Sequence, residues 1–69
     1  MEKILIDWLE SYTESSVSLS TTFENLNFDI FDEAMTVDFV QQQFHKNVNI
    51  SNQWFVTVED LLNAITAGS

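Results

Sequence analysis

Leu26-Asn27-Phe28-Asp29-Ile30-Phe31-Asp32, continued by Glu33-Ala34-Met35-Thr36-Val37-Asp38-Phe39-Val40-Gln41-Gln42-Gln43-Phe44, is the stretch that decides how this chain folds. Asp29 has the short carboxylate of an N-cap, able to accept a hydrogen bond from a free backbone N–H of a helix's first turn. Asp32 places a second negative charge at the positive end of the helix dipole. A helix from about Ile30 to Phe44 follows, with Ala34, Val37, Val40, Gln41 and Phe44 as its inner face. At about 100° per residue, Met35 and Phe39 point away from that face, stacked one turn apart, and Ile30 lies at the same end of the domain.

Upstream, Ile4, Leu5, Trp8, Leu9 and Tyr12 recur at helical spacing between Glu2 and Tyr12, with Ile6 off the stripe. Thr13 to Thr22 is rich in hydroxyl side chains that compete for backbone hydrogen bonds, so it reads as a long ordered loop anchored by Val17 and Leu19. Phe23 and Leu26 close it. Downstream, His45 to Gln53 is polar, and Trp54-Phe55-Val56 reads as a short apolar helical turn. Thr57 begins a last helix, with Asp60 at the capping-box position and Val58, Leu61, Leu62 and Ile65 as its buried stripe. The scarcity of turn residues, one glycine and no proline, favours helices over a β-rich fold.

Sixty-nine residues make one domain. At 45% hydrophobic, with six Phe and two Trp, the chain has enough apolar volume for a core. It has no cysteine, so disulfides and thiolate metal sites are excluded. No apolar run approaches the roughly 20 residues of a membrane span. Eleven acidic residues against two lysines give a net charge of -9, which repels nucleic-acid phosphates and anionic lipid headgroups. The expectation is a soluble, cytoplasmic domain that binds neither nucleic acid nor membrane.

Leu26-Asn27-Phe28-Asp29 resembles the Leu-Gly-x-Asp that leads into the attachment serine of acyl and peptidyl carrier proteins, with Asn27 where glycine is usual. The separation of Val17 from Phe23, the distance from Ile30 to Phe44, and Thr57-Val58-Glu59-Asp60 with Ile65 also resemble that family, in the same order. The resemblance implies an all-α, four-helix bundle of the acyl-carrier-protein type over residues 1–66, with a short third helix near Asn52 to Val56. Residues 67–69 are expected to be a frayed terminus or an expression scar. It also implies that Ile30 occupies the position of the serine that carries phosphopantetheine. An aliphatic side chain has no oxygen to attack the pyrophosphate of coenzyme A, so that attachment cannot occur there. No cofactor is then expected.

In that family the second helix is the partner-binding surface. The expected surface is Asp29, Ile30, Asp32, Glu33, Met35, Asp38 and Phe39: the resemblance points to the second helix and its acids, which form a rim, and the outward direction of Met35 and Phe39, with Ile30 at the same end, supplies the apolar anchors. Met35 stands where a glutamate is common, and Gln41-Gln42-Gln43 where acids are. The function expected is a protein–protein interaction module, not an enzyme, in fatty-acid, polyketide or nonribosomal-peptide biosynthesis, partnered by a biosynthetic enzyme or megasynthase domain. The alternatives are a functional acyl or aminoacyl carrier bearing 4'-phosphopantetheine through another attachment, or an N-terminal docking domain cut from a megasynthase.

Other chemistry has little footing in the residues. His45 is the only histidine, and a helix-end position near the dipole's negative pole accounts for it without a metal. Asp29, Asp32 and Glu33 sit where dipole compensation puts carboxylates, so no catalytic residue is assigned. The serines read as turn and cap residues.

Overall fold

Leu5 and Leu9, one turn apart, are fully buried and set the inward direction of the first helix, α1 (Glu2–Thr13). The computed structural model describes residues 1–48 and 54–67. Two further helices follow within them, α2 (Ile30–Phe44) and α3 (Val58–Ala67). The architecture is all-α, with one isolated antiparallel bridge between Thr22 and Thr57. Of the expected short third helix, Asn52 and Gln53 lie outside the described residues, and Trp54 to Val56 is not helical. Val56 instead gives its carbonyl to the Phe23 N–H at 3.1 Å and leads straight into the bridge at Thr57.

The stripe of α1 differs from expectation at its edges. Ile6 packs against the core, whereas Ile4 stays exposed. With Leu5 and Leu9 at the centre, Ile6 is the i−3 neighbour of Leu9 and shares its face. The helix ends at Glu14, whose backbone is left-handed (φ 57°) and whose N–H closes the last turn on the Glu10 carbonyl at 2.8 Å.

The loop from 14 to 29 is held at both ends and in the middle. Glu10 accepts the Val17 N–H through Oε2 at 3.0 Å, and Val17 and Phe23 are buried as its anchors. Thr21 Oγ1 accepts the Ser18 N–H at 2.8 Å, and Thr22 Oγ1 accepts the Asn25 N–H at 3.1 Å, so the hydroxyls shape turns as their chemistry dictates. Asn27 takes the left-handed conformation (φ 57°), which asparagine tolerates better than most residues.

The loop's firmest attachment is to α3. The first four N–H groups of a helix have no partner within it. In α3, Val58 N–H donates to the Thr21 carbonyl and Glu59 N–H to the Leu19 carbonyl, both at 3.0 Å. Asp60 N–H donates to Thr57 Oγ1, and Asp60 Oδ2 returns the contact by accepting the Thr57 N–H, each at 3.1 Å. This is the reciprocal capping box expected from the sequence. Val58, Leu61 and Ile65 then bury against Leu5, Leu9, Val17, Phe23, Val40 and Val48. The Cα radius of gyration, 10.8 Å, matches the roughly 11 Å of a compact chain this long. The loop therefore lies against the helices.

Helix α2 begins as expected but is turned about its axis. Its buried residues are Thr36 and Val40; Ala34 and Gln41, expected inside, are exposed, and Val37 and Phe44 are half-buried. The difference is about one residue of rotation, or roughly 100°. Thr36 can sit at the centre because its hydroxyl donates to the Asp32 carbonyl at 2.8 Å, which removes the cost of burying it. Turning the helix this way carries Phe39 inward.

Glu14 offers a direct test of this local geometry. A left-handed backbone costs a non-glycine residue about 1–2 kcal/mol, and a carboxylate beside the C-terminus of α1 faces the negative end of its dipole. Glu14→Gly should stabilise the domain by about 1 kcal/mol, raising Tm by roughly 4 °C or more in a thermal melt. A lower Tm would contradict the assignment.

Candidate functional site

The start of α2 is a closed set of hydrogen bonds. Asp29 Oδ1 accepts the Asp32 N–H, and Asp32 Oδ2 accepts the Asp29 N–H, both at 3.0 Å. The other oxygen of Asp32, Oδ1, accepts the Tyr12 hydroxyl at 2.6 Å, tying the end of α1 to the start of α2. Two of the acids assigned to a binding rim are thus occupied in building the helix start. The Tyr12 hydroxyl, helped by the Asp29 N–H, holds the Asp32 carboxyl below its ordinary pKa. The same bond raises the Tyr12 phenol above its ordinary value.

From this junction α1 and α2 run past each other in opposite senses. Trp8, one turn before Tyr12, stacks on Phe39, two turns after Asp32, with ring centroids 4.4 Å apart and planes within 9°. Trp8 also stacks on Tyr12 at 4.9 Å. The ring contacts continue from Tyr12 to Phe28, Phe23, Trp54 and Phe55, and on the other side from Phe39 to Phe44. Eight of the nine aromatic residues form one connected series, each contact worth about 0.5–1.5 kcal/mol beyond the area it buries. Phe31 is the ninth. It has no ring partner among the described residues and is 75% exposed.

Phe39 is therefore not the outward anchor that the wheel indicated. Its ring is half-buried against the core, and the same one-residue rotation that put Thr36 inside accounts for it. Met35 does stay outward, 51% exposed, and Ile30 is 74% exposed. They do not share a side of the helix, since five residues turn it by about 140°. The row that holds Met35 is Phe31, Met35 and Phe39, spaced by four, each step drifting inward by about 40°. Phe31 is absent from the surface expected from the sequence, although its spacing from Met35 places it on this row.

Met35, Asp38 and Phe39 meet Trp8, Gln42 and Gln43 around an open groove of about 380 Å³ between α1 and α2. Trp8 looks like core in the α1 stripe, and only the packing of the two helices brings its edge to this groove. Asp38 stands on the rim, its two oxygens each 3.3 Å from Gln42 Nε2. Asp29 is exposed and Glu33 half-buried, and neither lines the groove. His45 is an exposed left-handed C-cap whose N–H bonds the Gln41 carbonyl. Among the described residues no group of three or more His, Asp or Glu side chains is placed to hold a metal ion. Nor is any helix there long and apolar enough to cross a membrane.

The Tyr12–Asp32 bond gives stability a defined pH dependence. Asp32 titrates lower in the folded chain than in the unfolded one, so its contribution is complete above the ordinary carboxylate pKa and is lost as pH falls through the lowered value. Tyr12 contributes below the ordinary phenol pKa and ceases to as pH rises through its raised value. Tyr12→Phe should flatten the acid-side fall in unfolding free energy, measured by urea titration over roughly pH 2 to 5. An unchanged acid slope would show that the bond does not form in solution.

No family model matches this chain, and no curated protein or solved structure does either.

Proposed function

We propose that this chain is a protein–protein contact domain built on a bundle of the carrier-protein type, with α2 as its contact surface. In this reading it works within a fatty-acid, polyketide or nonribosomal-peptide assembly system, in the cytoplasm, and Ile30 leaves it without phosphopantetheine at the usual position. The observation that carries the reading is the exposed apolar row of α2. Phe31 and Met35, one turn apart, stay more than half exposed in a chain that draws every other aromatic ring into one packed series, and Ile30 is exposed on another side at the helix start. Large apolar side chains left outside in this way mark a surface that another protein covers. The carrier-type bundle is supported by the ordered loop between α1 and α2, by left-handed Asn27 before the Asp29 cap, and by the Thr57–Asp60 box.

Two measurements test this proposal. Incubated with coenzyme A and a broad-specificity phosphopantetheinyl transferase, the chain should keep its intact mass, and a gain of one phosphopantetheine would overturn the reading. Used as bait in its own host, it should retain enzymes of such an assembly system. Phe31→Lys with Met35→Lys should weaken that retention at least about tenfold, or about 1.4 kcal/mol, with the far-UV circular dichroism unchanged. Equal retention by the double variant would remove α2 as the surface. Phe39 is left alone in this test because a lysine there would break the stack on Trp8.

A further inference from the structure

We infer that the groove between α1 and α2 receives an amphipathic helix with a basic polar face, belonging to another protein. The inference rests on the reading of α2 as a contact surface and adds the chemistry of what binds there. The groove is lined by three apolar side chains, Trp8, Phe39 and Met35, and three polar ones, Asp38, Gln42 and Gln43. Its volume, about 380 Å³, equals that of about a dozen water molecules, space for one or two anchoring side chains. Phe31, one turn before Met35, extends the apolar row beyond the groove and is 75% exposed. The row from Phe31 through Phe39 has the i, i+4, i+8 spacing of a helix-long contact.

The walls of the groove decide the shape of the occupant. Two helices passing in opposite senses leave a furrow that fits a third, and helix-in-groove recognition uses an apolar stripe at such spacing. The bridge between Thr22 and Thr57 is isolated, so no strand among the described residues offers an edge for an extended peptide.

Charge decides the rest. The chain carries -9 overall, and the only ion pair among the described residues, Lys3 with Asp7, is on the surface of α1. A second copy would bring another -9 to the same furrow, and an anionic lipid surface would be repelled as well. A segment with lysines or arginines beside its apolar stripe gains attraction to Asp38 and to the field of the whole domain. Electrostatic attraction sets orientation and encounter, and the apolar anchors supply residence.

The test uses the intact chain with three synthetic peptides of about 14 residues, roughly four turns each. One is a lysine–leucine peptide with leucines at helical spacing, the second replaces its lysines with glutamate, and the third scrambles the order of the first. Binding is followed by NMR through the Trp8 indole N–H and the Met35 methyl, with the Trp54 indole as the distant reference. The first peptide should shift Trp8 and Met35 in a saturable way and leave Trp54 in place, with affinity at least about tenfold above the other two. Met35→Gln and Asp38→Lys, both on exposed side chains, should each weaken it at least about tenfold. Equal binding of the acidic or scrambled peptide, shifts confined to other residues, or concentration-dependent shifts without peptide would each overturn the inference. If peptide binding fails while the host enzymes are still retained through Phe31 and Met35, only the groove's occupant is wrong. Failure of the unsubstituted chain to retain those enzymes would instead remove the contact reading itself.

Discussion

The backbone amides at the start of α3 are the constraint on which the rest of this structure depends. A short helix of ten residues is marginal alone, and its first turn exposes N–H groups that need partners. Here two of them, on Val58 and Glu59, are satisfied by carbonyls of a loop some forty residues earlier, and a third by the Thr57 side chain. Each such bond contributes about 0.5–1.5 kcal/mol net. Their larger effect is to fix Leu19 and Thr21 against α3, which carries Phe23 into the core and sets where α2 begins.

From Phe23 the aromatic series continues the constraint across the molecule. Phe28 passes it to Tyr12, and Tyr12 shares its hydroxyl with Asp32 while its ring lies on Trp8. The seam between α1 and α2 is thus made twice, by a hydrogen bond at one end and by stacked rings further along. That seam positions the groove. Its lining residues come from two helices held together by the Tyr12–Asp32 bond at one end and by the Trp8–Phe39 stack in the groove itself.

What could be read from the residues follows from how local each interaction is. The Asp29 cap and the Thr57–Asp60 box involve partners three residues apart, and both are legible in the sequence. Of the expected loop anchors Val17 is buried and Leu19 half-buried, and Phe23, expected to close the loop, is buried as well, because an apolar residue among hydroxyls has little else to do than bury. The rotation of α2 is not legible, because hydrophobicity ranks Val37 above Thr36, and only the Asp32 carbonyl makes the threonine acceptable inside. Phe39 turns inward with that same rotation. The Trp54–Val56 turn fails as a helix because its carbonyl goes to Phe23, a partner that no local pattern reveals. The groove is hidden for the same reason, since Trp8 reaches it only through the docking of α1 on α2. Phe31 stands apart from these. Its place on the Met35 row is legible from the four-residue spacing alone.

The most direct measurement of the central claim is amide hydrogen exchange at Phe23, Val58 and Glu59. First-turn amides of a helix ordinarily exchange nearly as fast as unstructured ones, because they lack intrahelical partners. If the loop carbonyls hold them, all three should be protected to the same degree as core amides such as Leu61, within about tenfold. Exchange of Val58 and Glu59 at the unprotected rate, with Leu61 still slow, would show that α3 forms without the loop and would contradict the account.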